Sequence, residues 1–213
     1  MDTDRLVAML ARDTEPVGRS AGGRRFAAAL LAGSVAAVIL MLALLGLRPD
    51  LRDAVRESMF WVKLGMPALL LASSLAACAR LGRPGSRVGS AGVVLLLPVA
   101  AIWLLAAFAL ASAPAAARTA LVLGDSSAAC VANISLLATP TFIAAFWAMK
   151  GLAPTRPALA GAFAGLLAGA AGALVYAWHC PEMAAPFIAT WYLLGIASPA
   201  VVGALLGPVL LRW

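Results

Sequence analysis

The residues of this chain whose types suit chemistry are few, and most of them lie in its last third. The single histidine, His179, is followed directly by Cys180, and Glu182 comes two positions later. Cys130 and Asp125 lie between two earlier apolar stretches. Thiolate, imidazole and carboxylate groups together are the ligands that zinc, cadmium or copper(I) prefer. These residues therefore form a candidate metal-binding or thiol-sensing site, and we expect no obligatory cofactor, since a soft metal ion would act as a signal.

The two cysteines are predicted to be chemically unequal. Cys130 follows Asp125 in a run rich in N-cap residues, so it should lie in the first turn of a helix, where the dipole favours a thiolate. Cys180 comes at the end of a helix, just before Pro181, where the dipole disfavours a thiolate. A metal ion, or His179 in its charged form, would be needed to offset that effect.

Other interpretations of these residues remain open. In an oxidising compartment Cys130 and Cys180 would form a structural disulfide, or they would stay unreacted with His179 as an interfacial aromatic residue. The chain has no Cys-x-x-Cys pair and no cofactor motif, which argues against a thiol oxidoreductase and against an enzyme in general. The third cysteine, Cys78, is predicted to be a buried small residue at the opposite end of the molecule.

The elements that position these residues are predicted to be transmembrane helices. Of the 213 residues, 63% are hydrophobic and only 12% are charged, which leaves too little polar surface for a water-soluble globule. Six apolar windows match the length of a helix that crosses the bilayer. We predict an all-α integral membrane protein with a cytoplasmic tail (residues 1–25) and one six-helix domain (26–213), whose spans are approximately 26–47, 59–79, 91–113, 130–149, 158–178 and 187–211.

The distribution of basic residues predicts the orientation of the bundle. Eleven lysines and arginines lie in the N-terminal tail, the C-terminus and the loops near 80–90 and 150–157, against five on the alternate side. The positive-inside rule therefore places both termini in the cytoplasm of a multi-pass membrane protein, which means the bacterial inner membrane if the host is Gram-negative. Cys130, His179 and Cys180 would then face the periplasm. The net charge of +7 is explained by these loops, so we expect no direct nucleic-acid partner.

The N-terminal tail has the pattern of a short amphipathic helix. Leu6, Met9 and Leu10 would share one face, and Pro16 would end the helix. Membrane lipid is one partner for such a face, but up to Glu15 the tail holds four acidic residues against two basic ones, which disfavours anionic lipid. A soluble protein partner fits better.

Two further features of the spans bear on packing and charge. Gly161, Gly165 and Gly169 recur every four residues, which predicts that a neighbouring helix approaches closely along that face. Lys63 lies about one turn inside the second span, and we expect its amine to extend outward to the interface. No other ionisable residue falls inside a span, which makes transport a weak hypothesis.

Several runs in residues 150–213 resemble the NrsF family of six-helix membrane anti-sigma factors, which are negative regulators of sigma F and related extracytoplasmic-function sigma factors. The resemblance extends over the whole chain in length and span count. Its specific residues are the runs from Ala153 to Gly161, from Gly165 to Gly169 and from Tyr176 to Pro181, the pair Trp191-Tyr192 and the terminal Leu211-Arg212-Trp213. A weaker similarity at the start of the chain involves Leu6, Leu10, Asp13, Pro16 and Val17.

The resemblance implies a function. In that family the cytoplasmic parts hold the sigma factor at the membrane, and a cysteine in each of two periplasmic regions is needed for the response to heavy-metal stress. The matching positions are Cys130 and Cys180. We therefore expect an anti-sigma factor that releases its partner when these cysteines sense heavy metal or oxidative stress, with His179 as a further ligand. The alternative is a small membrane carrier or channel with a structural periplasmic disulfide.

Overall fold

The computed structural model describes residues 3, 7, 9, 21–83, 85–86, 88–89, 91–152 and 154–212, and all regular structure within them is helical. The helices, in chain order, are α1 (Ala21–Leu44), α2 (Leu51–Ala54), α3 (Ser58–Leu81), α4 (Ala91–Ser112), α5 (Ala115–Leu123), α6 (Ser127–Lys150), α7 (Pro157–Tyr176), α8 (Ala185–Phe187), a π-helix (Ile188–Tyr192) and α9 (Leu193–Leu210). The last three form one continuous helical run, Ala185–Leu210.

Six of these segments are long and apolar enough to cross a membrane, as the sequence predicts. They are α1, α3, α4, α6 with α5 before it, α7, and the run from α8 to α9. The spanning helices begin and end within three residues of their predicted bounds, except α1, which starts five residues earlier at Ala21. With α5 included, the fourth segment starts at Ala115, well before its predicted bound. The direction of the bundle in the membrane remains a prediction from the basic residues.

Two local features of the fold were not predicted. The exposed helix α5 forms within a segment expected to be a loop, because its alanine-rich sequence has high helix propensity and Pro114 precedes it at the N-cap position. The second feature is the π-helix, which widens the first turns of the final span. Both lie at the same end of the bundle as the candidate site.

Helix α7 is the most buried span and contacts α1, α3, α6 and α9. It can occupy the centre because its glycines leave room for neighbouring backbones. A Cβ atom added at Gly161, Gly165 or Gly169 would overlap the carbonyl oxygen of Gly203, Pro199 or Ile196 in α9. The small face of α7 therefore allows direct contact between the α7 and α9 backbones.

The loops gather at two opposite ends of the bundle. At one end, which we call the cysteine end, the segments 45–57, 113–126 and 177–184 meet; the Arg48 amide donates to Trp178 O over 3.1 Å. The opposite end holds residues 82–83, 85–86, 88–89, 151–152 and 154–156, and there Arg25 Nη2 donates to Trp147 O over 2.8 Å. Cys78 is fully buried near this opposite end, away from the other two cysteines.

Candidate functional site

Cys130 and Cys180 come together at the cysteine end. Both side chains are fully buried in the same apolar cluster, and both are free thiols. The Cys130 amide donates to Ser126 O over 2.8 Å in the first turn of α6, and the Cys180 amide donates to Tyr176 O over 3.0 Å, just past the end of α7. The site therefore joins the start of one span to the end of the next.

The predicted outward extension of Lys63 is wrong. Its side chain is fully buried, and Nζ donates to the main-chain carbonyls of Cys180 and Glu182, each over 2.7 Å. The amine also lies 5.1 Å from the centre of the Tyr192 ring. The reason is that the segment after α7 is irregular, so its carbonyls lack helical partners and need a donor in an apolar surrounding. Lys63 supplies that donor from α3.

His179 does not join the two thiols. Its Nδ1–H donates to Gly46 O over 3.0 Å, beyond the end of α1, and its ring packs against Tyr176 with centres 5.7 Å apart. Consecutive residues in a turn point in different directions, so its adjacency to Cys180 in the sequence is not adjacency of the side chains. His179 instead fastens the turn after α7 to the loop that follows α1.

Glu182 and Asp125 also serve structural contacts. Glu182 Oε1 accepts the Asp125 amide over 2.8 Å and the Ser126 hydroxyl over 3.4 Å, so it binds the turn that precedes α6. Within the described ranges, no group of three or more histidine, cysteine, aspartate or glutamate side chains is placed to hold a metal ion. The five-residue ligand set expected from the sequence is therefore not assembled, and a metal ion at this site would meet two thiols.

Arg48 is a functional-site candidate that the sequence reading missed. Its guanidinium is buried, donates to both carboxylate oxygens of Asp50 over 2.7 and 2.6 Å, and lies 3.4 Å from Cys180 O. The bidentate contact raises the pKa of Arg48 and lowers the pKa of Asp50. The sequence signal that could have indicated this ion pair is the run Arg48-Pro49-Asp50, in which two opposite charges lie two residues apart in a short loop. Arg48 and Lys63 thus bring two cations to one carbonyl.

The π-helix places Tyr192 beside the thiols. Its side chain is fully buried in the same apolar cluster as Cys130 and Cys180, and its hydroxyl finds no hydrogen-bond partner within the described part of the chain. Nearby, Trp191 Nε1 donates to Val122 O over 2.8 Å and so ties the π-helix to α5. An unpaired buried hydroxyl in this cluster can donate a hydrogen bond to a thiolate or to a group bound between the sulfur atoms.

The predicted sigma-binding residues lie mostly outside the described residues. Five of them are outside the described residues: Leu6, Leu10, Asp13, Pro16 and Val17. Met9 is described, is helical and is 51% exposed. Its exposure is consistent with an accessible apolar side chain.

Comparison with known proteins gives two full-length similarities. Residues 10–213 match the family model described as NrsF, negative regulator of sigma F. The chain is 48% identical over 213 residues to a probable anti-sigma-F factor NrsF of Azospira oryzae, and the alignment covers 100% of both chains. It is 38% identical over 215 residues to the anti-sigma-F factor NrsF of Caulobacter vibrioides, again covering 100% of both. No solved structure matches the chain.

Proposed function

This chain belongs to the NrsF family of negative regulators of sigma F, and from its buried cysteine pair we propose the signal that it answers. Membership makes it an anti-sigma factor, which is a regulatory protein rather than a catalytic one. We propose that it holds an extracytoplasmic-function sigma factor at the cytoplasmic face of the inner membrane. Heavy metal or oxidative stress would act at Cys130 and Cys180 and release that partner.

The observation that supports this proposal is the convergence of two free, buried thiols from separate helices. Cys130 belongs to α6 and Cys180 to the segment after α7, so a bond between them would tie two spans together. A soft metal ion such as cadmium or zinc would bridge the two sulfur atoms as thiolates. Alternatively, a peroxide would take two electrons from the pair and leave a disulfide, with the thiol protons carried away in water.

One route from this site to the opposite end runs through the close-packed helices α7 and α9. Helix α7 ends beside Cys180, and its backbone contacts that of α9 along Gly161, Gly165 and Gly169. Such a contact transmits displacement because, between two backbones in van der Waals contact, there is no free volume in which one helix could move without the other. The signal can release the sigma factor only to the extent that it binds the released state more tightly than the holding state.

The output end is proposed to be the N-terminal tail together with the basic loops of the opposite end. Exposed Met9, and Leu6 and Leu10 beside it in the sequence, would offer apolar anchors to the sigma factor. The excess of basic residues on that side supports a cytoplasmic placement of both termini. Copurification of a sigma factor with the full chain, and its loss on deletion of the tail, would support this assignment.

The input end is tested by serine substitutions in a strain with a sigma-dependent reporter. Cys130→Ser and Cys180→Ser should each abolish induction by cadmium, because one thiol cannot form the bridge. Cys78→Ser is the matched control, since Cys78 is equally buried at the opposite end and should keep normal induction. Full induction in the Cys130 and Cys180 variants would contradict the proposed sensor.

The rival function, a carrier or channel with a structural disulfide, makes the opposite predictions. Purified protein in vesicles would take up a solute, and no sigma factor would copurify.

A further inference from the structure

Lys63 is a buried cation without an ion-pair partner within the described part of the chain. Its contacts are the carbonyl oxygens of Cys180 and Glu182 and the face of the Tyr192 ring. A buried ammonium is costly unless its hydrogen bonds are satisfied, so these acceptors must stay in place while the charge is there. The two carbonyls stand on either side of Pro181, which itself has no amide hydrogen to offer.

The segment that carries Cys180 depends on Lys63 in turn. The segment 177–184 has no helical hydrogen bonds for these two carbonyls, and it lies within the buried end of the bundle. Lys63 therefore supplies the hydrogen bonds that hold the Cys180-bearing segment to α3, beside the edge-to-face contact of the Phe60 and Trp178 rings. Arg48 and His179 bind the same segment to the loop after α1. Charged donors give hydrogen bonds about twice as strong as neutral ones. Lys63 therefore restrains Glu182 O strongly, and it shares the restraint of Cys180 O with Arg48.

The far end of α3 reaches the loops of the opposite end. Arg80, in its last turn, donates to Val88 O over 2.8 Å in the segment between α3 and α4. Gly82, just after α3, packs against Leu152 in the segment between α6 and α7. A displacement of α3 along its axis would therefore move both segments that carry the basic residues of that end.

We propose that Lys63 is a positioning residue that holds Cys180 against α3 as a latch. When the Cys180 sulfur forms a bond, the resulting displacement of its segment is transmitted to the opposite end through α3. This inference rests on the proposed function, because it takes the cysteine pair as the input. A bridge to Cys130 draws Cys180 toward α6 and turns its main-chain carbonyl away from Nζ. The ammonium then lacks an acceptor, and α3 shifts to restore one.

The latch is tested by Lys63→Met, which keeps the length of the side chain and removes the donors. Full-length protein in detergent is treated with N-ethylmaleimide, and the alkylation of each cysteine is followed by mass spectrometry. Loss of two charged hydrogen bonds should open the segment more often, so Cys180 should react about tenfold faster or more, with Cys78 unchanged. Lys150→Met replaces the other lysine, which is exposed at the far end, and should leave all rates unchanged.

Cys78 also separates a local opening from a failure to fold. Equal acceleration at Cys78 and Cys180 would mean that Lys63 supports the whole bundle, which would overturn the latch. An unchanged rate at Cys180 would overturn it as well. This experiment needs no sigma factor, so its outcome is independent of the reporter experiment on Cys130→Ser and Cys180→Ser.

The coupling through α3 is tested by cadmium binding and induction measured on the same variant. Lys63→Met should still bind cadmium, because both thiols remain, but should no longer induce the reporter when cadmium is added. A merely structural role would reduce binding and induction together. Normal induction in Lys63→Met, or a parallel loss of cadmium binding, would overturn the inference.

Discussion

Replacing Gly165 with alanine should destabilise the bundle, although alanine is the better helix former. The added Cβ would overlap the carbonyl oxygen of Pro199 and lie 2.6 Å from its carbon and 2.8 Å from Ala200 Cα. All three atoms belong to the backbone, so no side chain can rotate to make room. Helices α7 and α9 must separate, and overpacking of this kind costs about 1–3 kcal/mol.

A glycine in open space supplies the matched control. Gly65 lies within α3, and a Cβ added there meets nothing within 4 Å. Alanine at Gly65 gains helix propensity worth up to about 1 kcal/mol in water, so its free energy of unfolding should be unchanged or slightly higher. The same substitution is therefore expected to destabilise the protein at Gly165 and not at Gly65.

The assay is thermal unfolding of the purified protein in detergent, read by circular dichroism. A loss of about 2 kcal/mol in a chain of this length corresponds to a fall in Tm of about 4–8 °C by the scaling for soluble domains. Gly165→Ala should show that fall and Gly65→Ala should not. Equal Tm values for Gly165→Ala and the wild type would refute the backbone contact between α7 and α9.

Three other substitutions test the Arg48–Asp50 ion pair, the hydrogen bond from the Asp125 amide to Glu182, and the exposed Met9 side chain. The lowered pKa of Asp50 means that its contact with Arg48 stabilises the fold above the ordinary carboxyl pKa and is lost as pH falls through the depressed value. Asp50→Asn should therefore flatten the loss of Tm below about pH 4. Glu182→Ala leaves the Asp125 amide without its acceptor, which should speed hydrogen exchange there and cost about 1 kcal/mol. Met9→Asp should lower the yield of copurified sigma factor, while an unchanged yield would exclude Met9 from the interface.

The six spans follow directly from the sequence because a membrane helix is specified by local composition. Each needs only a long apolar window, and the glycine repeat in α7 likewise predicts close approach from spacing alone. The π-helix at Ile188–Tyr192 has no such local signature. It depends on how Trp191 and Tyr192 fit against α5 and the thiols, which is a tertiary effect.

The candidate site was harder to predict because direction matters more than position. Threading alone places Cys130 and Cys180 at one end, and the structure brings their side chains together there. Threading could not predict which way the His179 ring points, and in the structure it faces Gly46 O. Nor could it predict the direction of the Lys63 side chain, because a lysine near the membrane interface can point its amine outward or inward. The inward choice depends on unpaired carbonyls in a segment distant in sequence.

The central claim is that a bond between Cys130 and Cys180 releases the sigma factor. The most direct measurement uses proteoliposomes that hold the full-length protein with its sigma factor bound, and it follows the sigma factor freed into the supernatant when cadmium is added. Wild-type protein should release the sigma factor and Cys180→Ser should retain it, with both holding equal amounts beforehand. Equal release from the two proteins would contradict the claim.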